Sequence, residues 1–158
     1  MGKEIERKFL VKGDVWRTLG QPMRYRQGYL STAKERTVRV RTIADRGFLT
    51  IKGVTEGIAR VEFEYPIPID DANALLDGLC QRPLIEKDRR KIACGDLIWE
   101  VDEFFGDNAG LIMAEVELER EDQAVEIPEW IGKEVSEDRR YFNANLISHP
   151  YRDWGNGV

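Results

Sequence analysis

The chain has 158 residues, 42% of them hydrophobic and 34% charged, with 24 Lys+Arg against 29 Asp+Glu for a net charge of −5. That length suits one domain, residues 1–158, with a real core, and the apolar content excludes an intrinsically disordered chain. No apolar run reaches the about 18 residues of a membrane span, Lys3 and Glu4 stand where a secretory signal would place its apolar stretch, and a net acidic chain is a poor generic binder of nucleic acid.

In chain order, a period of two marks a strand over 3–11. A short helix is predicted over 14–19, closed by Gly20. Strands follow over 23–31, 36–43 and 47–52, the last two joined as a hairpin across Asp45-Arg46-Gly47. The next strand runs over 58–67, ended by Pro66 and Pro68. Asp70-Asp71-Ala72 opens the one clear internal helix, with Ala72, Leu75, Leu76 and Leu79 on one face. Three more strands are predicted over 84–93, 96–104 and 111–119. The stretch 128–154 reads as loop plus a helix capped by Ser136 and stopped before Pro150. Gly28-Tyr29 and the C-terminal segment read either as a lid over a mouth or as a packed strand end. Eight strands with hairpin connections predict a mainly β (α+β) fold, an eight-stranded antiparallel closed tunnel or barrel with a few flanking helices.

Cys80 and Cys94 lack metal-ligand spacing and read as buried free thiols of a reducing cytoplasm. His149 is the only histidine, which excludes a multi-histidine metal site. Chemistry therefore falls to carboxylates, Lys, Arg, Tyr or a bound metal. Residues at i and i+2 of a strand share a face, and the charges follow that rule. Glu4, Glu6 and Lys8 fall together, as do Arg39 with Arg41, Glu62 with Glu64, Lys87 with Arg89 and Lys91, Glu100 with Asp102, and Glu115 with Glu117 and Glu119. Lys52 shares a face with Thr50. A solvated sheet face is the plain explanation. Such faces mix Ser, Thr, Gln and Lys, however, whereas these positions are nearly all fully charged and blocked by sign along each strand. Two like charges about 4 Å apart at an effective dielectric near 20 repel by roughly 4 kcal/mol. Turned inward, the carboxylates call for Mg²⁺ or Mn²⁺, and the facing Arg and Lys suit phosphate oxygens.

Glu4-Ile5-Glu6-Arg7-Lys8 resembles the E-x-E-x-K signature of the CYTH superfamily, the triphosphate tunnel metalloenzymes. Its companions follow in order: Val38-Arg39-Val40-Arg41, Thr50-Ile51-Lys52-Gly53, Glu62-Phe63-Glu64, Lys87-Asp88-Arg89-Arg90, Val101-Asp102-Glu103-Phe104 and Glu115-Val116-Glu117-Leu118. The stretches Gly132-Lys133-Glu134-Val135-Ser136 and Tyr141-Phe142-Asn143-Ala144-Asn145-Leu146 are also similar to small bacterial members.

The resemblance implies that Glu4, Glu6, Glu115 and Glu117 hold metal, and that Lys8, Arg39, Arg41, Lys52, Lys87 and Arg89 grip a triphosphate, with Lys133 reaching in. It gives Glu62, Glu64 and Asp102 a second metal or the attacking water, and Lys87 a place among the catalytic groups; Glu100 has the right parity as well. The implied reaction is hydrolysis of inorganic tripolyphosphate to pyrophosphate and phosphate, with two Mg²⁺ or Mn²⁺ ions, a small-molecule substrate, and neither nucleic acid nor membrane as partner. Alternatives are a nucleoside triphosphatase, a thiamine triphosphatase stacking its substrate on Tyr25, Tyr29, Trp99 or Trp154, an adenylate cyclase of the class IV type, or a non-catalytic polyphosphate binder.

Overall fold

Closing the alternating strands into a ring decides which of their two faces is enclosed. In the computed structural model, which describes residues 2–155, nine strands form: β1 Gly2–Val11, β2 Pro22–Ser31, β3 Thr37–Ile43, β4 Arg46–Lys52, β5 Ala59–Ile67, β6 Ile85–Cys94, β7 Leu97–Phe104, β8 Ile112–Glu117 and β9 Ile131–Glu134. The sheet order is β5-β4-β3-β2-β6-β7-β8-β1, and β1 pairs back onto β5 to close an antiparallel barrel of eight strands. β1 runs along Met113–Glu117 of β8 by one edge. Its other edge is divided: Gly2–Ile5 face β5, while Phe9 and Val11 face Glu134 and Ile131 of β9. The ninth strand thus completes the edge that β5 leaves.

The charged parity is enclosed and the apolar parity faces out, so most of the hydrophobic core lies outside the barrel. Ile5, Phe9, Trp99, Val101, Ala114 and Val116 form an outer cluster covered by Trp16, Trp130 and Ile131. Trp99 packs edge-on against Phe9 at 5.3 Å and against Trp130 at 6.1 Å, and each such buried ring contributes about 1.5–3 kcal/mol. A second cluster uses inward positions beyond the charged ones: Tyr29, Ile85, Phe104 and Met113 meet Val135, Tyr141, Leu146, Ile147 and Trp154 and plug one end of the barrel. A third joins Val40 to Ala72, Leu76 and Cys80 where helix α1, Ile69–Gly78, lies over β3 and β4. Gly47 permits that approach, because a Cβ there would stand 2.7 Å from the Cβ of Ala72.

Several local expectations change. The first helix is one 3-10 turn, Val15–Thr18. The β3–β4 turn is Ala44-Asp45 with Ala44 at φ 53, and Arg46 and Gly47 already pair with Ile43 and Thr42. Pro66 lies inside β5 opposite Phe48, tolerated because the β1 pairing of β5 reaches only Glu62 and leaves that edge free among the described residues. Helix α1 ends at Gly78, and Leu79, the C-cap residue whose amide donates to the Leu75 carbonyl, is 70% exposed rather than on the buried face. Ser136 caps no helix: it accepts from the Lys8 amide at 2.9 Å and donates to Glu134 at 2.6 Å. The helix before Pro150 is the short α2, Asn145–Ser148. Cys94 is only half-buried. Gly28 sits mid-strand, where a Cβ would stand 2.6 Å from Leu84 and 2.9 Å from Cys80, which makes it a packed position and no lid. Among the described residues no helix is long and apolar enough to cross a membrane.

Candidate active site

The enclosed parity builds a cavity of about 890 Å³, within the range of small-molecule sites. Glu4, Glu6 and Lys8 enter from β1, Tyr25 and Tyr29 from β2, Arg39 and Arg41 from β3, Phe48 and Lys52 from β4, and Arg60, Glu62 and Glu64 from β5. Lys87, Arg89 and Lys91 enter from β6, Glu100 from β7, and Glu115 and Glu117 from β8. In all, seven carboxylates and eleven cationic side chains line it. A cavity at net +4 inside a chain of −5 leaves about −9 for the rest of the molecule, so an anion is attracted to the interior and repelled by the exterior.

Register produces the acidic wall. Glu6 lies opposite Glu117, and Glu115 lies between Lys8 and Glu100. Lys8 donates to Glu6 at 2.8 Å and to Glu115 at 3.0 Å. Lys52 stands 2.9 Å from both oxygens of Glu4 and 3.4 Å from Glu62. Burial and the neighbouring Glu115 hold the Glu6 carboxyl above its ordinary value. Burial, then Glu4 and Glu62, do the same to Glu117. Glu115 goes the other way, well below the usual range: Lys8, Arg89 and Lys87 outweigh its burial. Burial draws Lys8 down, but Glu115 and Glu6 overcome it and keep the ammonium above its normal value.

The basic wall is held from behind. Asp102 is fully buried and clasps Arg89 through two bonds, 2.6 and 2.7 Å, while Lys87 stands 2.9 Å from its Oδ2. Burial and Arg89 push the Lys87 ammonium down to about 8 against the opposing pull of Asp102. Glu64 accepts from Thr50 at 2.7 Å and from Arg41 at 3.2 Å, with Arg39 at 3.5 Å. These contacts keep it ionised below the usual carboxylate value despite its burial. Burial, then Arg39 and Arg89, lower the Arg41 guanidinium to about 10. The Nε–H groups of Arg39 and Arg41 are buried with no partner, donors in want of an anion. Arg41, Arg89 and Lys87 all stand over the ring of Tyr25, at 5.2, 5.0 and 6.0 Å.

Of the site residues expected from sequence, the barrel brings together Glu4, Glu6, Lys8, Arg39, Arg41, Lys52, Glu62, Glu64, Lys87, Arg89, Glu115 and Glu117, and Glu100 with them. Two do not line the cavity. Lys133 is exposed on β9, a strand added to the barrel's seam rather than a staff of its wall. Asp102 has the inward parity, and both its oxygens contact the cations Arg89 and Lys87. Arg60, which parity with Glu62 and Glu64 should have added, lines the cavity opposite Glu4. Lys34, Arg46, Arg139 and Asn143 also line it; they sit in or beside turns, or in the C-terminal segment, where alternation carries no signal.

The acidic wall suits a hard divalent cation by chemistry, since its donors are all carboxylate oxygens, and Glu6 and Glu117 are raised first by burial and then by neighbouring carboxylates. Among the described residues no three of these carboxylates converge into a ready cage, and Lys8 and Lys52 contact them directly. Lys52→Met is therefore expected to tighten Mn²⁺ binding in the absence of triphosphate by about 10-fold, the effect of one charge-assisted contact. Calorimetric titration checks this, and unchanged or weaker Mn²⁺ binding would contradict it.

Fold and site together define a β-barrel whose interior opposes an acidic and a basic wall. The CYTH domain model matches residues 2–151, and the chain belongs to the CYTH family. It is 49% identical over 154 residues to an inorganic triphosphatase of Acetivibrio thermocellus, covering 98% of this chain and 99% of that one. To an inorganic triphosphatase of Nitrosomonas europaea it is 38% identical over 152 residues, covering 90% and 95%. A solved structure of an inorganic triphosphatase superposes with a TM-score of 0.64 at 34% identity, covering 90% of this chain and 96% of that one. A Pyrococcus horikoshii protein, with a TM-score of 0.60 at 18% identity over 75% of this chain and 81% of its own, shares the fold.

Proposed function

We propose that this chain is a divalent-metal-dependent triphosphatase that hydrolyses inorganic tripolyphosphate to pyrophosphate and phosphate. The observation that carries the reading is the pairing of opposed walls across one cavity, acidic on β1 and β8, basic on β3 and β6. Metal-binding carboxylates and phosphate-binding cations are both required for phosphoryl transfer, which depends on positioning and charge neutralisation more than on a covalent catalyst.

In this reading Glu4, Glu6, Glu115 and Glu117 hold the metal, and Lys8, Arg39, Arg41, Lys52, Lys87 and Arg89 hold the phosphate chain. One or two Mg²⁺ or Mn²⁺ ions bound there would neutralise the triphosphate and acidify a water. Lys52 and Lys8 leave the carboxylates for phosphate oxygens, and the free Nε–H groups of Arg39 and Arg41 gain an acceptor. Glu62, whose one salt bridge among the described residues is to Lys52, takes the water's proton in this reading. The water oxygen bonds to the terminal phosphorus as the phosphoanhydride bond breaks, and the bridging oxygen leaves with the pyrophosphate. Asp102 and Glu64 keep the cations aligned.

Inorganic substrate is favoured over an organic triphosphate because the four aromatics expected to stack a ring are taken; of the other rings lining the cavity, Phe48 lies under Arg46 and Phe142 belongs to the C-terminal segment. Trp99 is fully buried in the outer core and Trp154 lies in the plug. Tyr29 is buried, and three cations cover Tyr25. The same reading makes 1–158 one domain, with residues 1 and 156–158 outside the described part. It places the protein in the cytoplasm, in keeping with its two free cysteines, with a small-molecule triphosphate as partner and neither nucleic acid nor membrane. The test is phosphate release from tripolyphosphate, ATP and thiamine triphosphate, with and without Mg²⁺. Release from tripolyphosphate is expected to be fastest and to depend on Mg²⁺. Tight binding without release would identify a polyphosphate binder and overturn the proposal.

A further inference from the structure

Lys87 is the most deeply set cation of the site, with 1% of its surface exposed. An ammonium turns freely about its last bond and has no direction of its own, so its acceptors decide where its protons point. Asp102 supplies one, at 2.9 Å. The other comes from outside the barrel: the Oδ1 of Asn143, in the C-terminal segment between the 3-10 turn Arg139–Tyr141 and α2, accepts from Lys87 at 3.1 Å. The remaining neighbours of the ammonium are the rings of Phe104 and Tyr25, at 5.4 and 6.0 Å, with the charges of Arg89 and Glu115 beyond.

Asn143 is itself held in place. Its Oδ1 also accepts from the Nε2 of Gln27 on β2, at 3.0 Å. Both neighbours donate, which fixes which end of the Asn143 amide is oxygen. Gln27 is fully buried, and donating in this direction leaves its own Oε1 without a partner. Buried acceptors are rarely left so, and the orientation is explained if it serves to fix Asn143. On either side of Asn143, Tyr141, Leu146 and Ile147 anchor the segment in the plug.

We propose that Asn143 is a positioning residue for the triphosphate: it fixes the direction of the Lys87 ammonium, so that the C-terminal plug helps to set where the phosphate chain lies. The inference rests on the triphosphatase reading and is tested by a double-mutant cycle. Tripolyphosphate affinity is measured by calorimetry, and KM and kcat by phosphate release, for the wild type, Asn143→Ala, Lys87→Met and the double variant. Asn143→Leu, which keeps the side chain's shape without its oxygen, stands in should the alanine variant fail to fold.

Loss of Asn143 alone is expected to weaken binding and raise KM by about 10-fold, the effect of one hydrogen bond to a charged group. In the Lys87→Met background the same change is expected to cost less than about twofold, since its object is gone. Wild-type affinity in Asn143→Ala, or a full 10-fold loss persisting without Lys87, overturns the inference. The calorimetric arm needs no turnover. A wild type that binds tripolyphosphate without cleaving it therefore fails the enzymatic reading, while the cycle still decides the role of Asn143.

Discussion

Glu117→Gln is expected to lower metal-dependent phosphate release by about 10²-fold or more while leaving the fold intact. The loss follows because Glu117 stands directly across from Glu6 in the acidic wall, and an amide offers a cation no charge. Stability moves the other way. Burial and the neighbouring Glu4, Glu62, Glu6 and Glu100 raise the Glu117 carboxyl above 4.5, so its ionised form costs the folded state stability at neutral pH. A group raised on folding contributes fully below its unfolded value and loses that contribution as pH rises through the folded value. The metal-free variant should therefore melt at the same temperature as the wild type or higher at pH 7, and the difference should vanish below about pH 4.5. Thermal melts across pH alongside steady-state rates check both halves. Near-normal turnover, or a variant that melts well below the wild type at pH 7, would remove Glu117 from the metal site.

Asp102→Asn carries the second large effect, and it falls on stability and substrate affinity together. Asp102 clasps two buried cations, Arg89 at 2.6 and 2.7 Å and Lys87 at 2.9 Å, while Glu100 and Glu115 stand farther from Arg89, at 3.3 and 3.7 Å. Removing one member of such a cluster costs about 3–5 kcal/mol, a fall in Tm of about 10 °C for a chain of this size. Burial raises the Asp102 carboxyl, yet Arg89 and Lys87 outweigh it and hold it low. Its stabilisation is therefore present at neutral pH and lost in acid as pH falls through the folded value. With Lys87 and Arg89 no longer aligned, KM for tripolyphosphate should rise by about 10-fold or more, with the Mg²⁺ requirement unchanged. A collapse of kcat at unchanged KM would instead return Asp102 to the attacking water.

The inward set was readable before the fold because strand periodicity is strict and the charges on it are dense. Knowing that Glu4, Glu6 and Lys8 share a face requires only alternation. Alternation does not say which face is enclosed, however: Ile5 and Phe9 form as good a pattern as Glu4 and Glu6, and only closure of β1 onto β5 puts the charges inside. The role of Asp102 depended on register. It stands directly across from Arg89, a fact with no trace in the spacing of either strand. β9 escaped notice because four residues containing Gly132 are too few to show a period. The short N-terminal segment had the stop signal of a helix in Gly20 but length for only one turn. Asn143 lies in a stretch marked by family resemblance alone, and its use appears only when the segment returns to the barrel.

The divided edge of β1 has a consequence for the order in which the molecule can be made. β1 is the first strand synthesised, yet its partners are β5, β8 and β9, the last of which ends at Glu134. Glu4 and Glu6 cannot meet Glu115 and Glu117 until most of the chain has left the ribosome. The β2–β3–β4–β5 meander, by contrast, pairs neighbour to neighbour and can form early. Assembly should therefore run from the basic wall toward the acidic one, with the repelling carboxylates gathered only in the last, most non-local step. A nascent chain stalled before β8 would hold the cations of β3 and β6 without the carboxylates of β8 that oppose them.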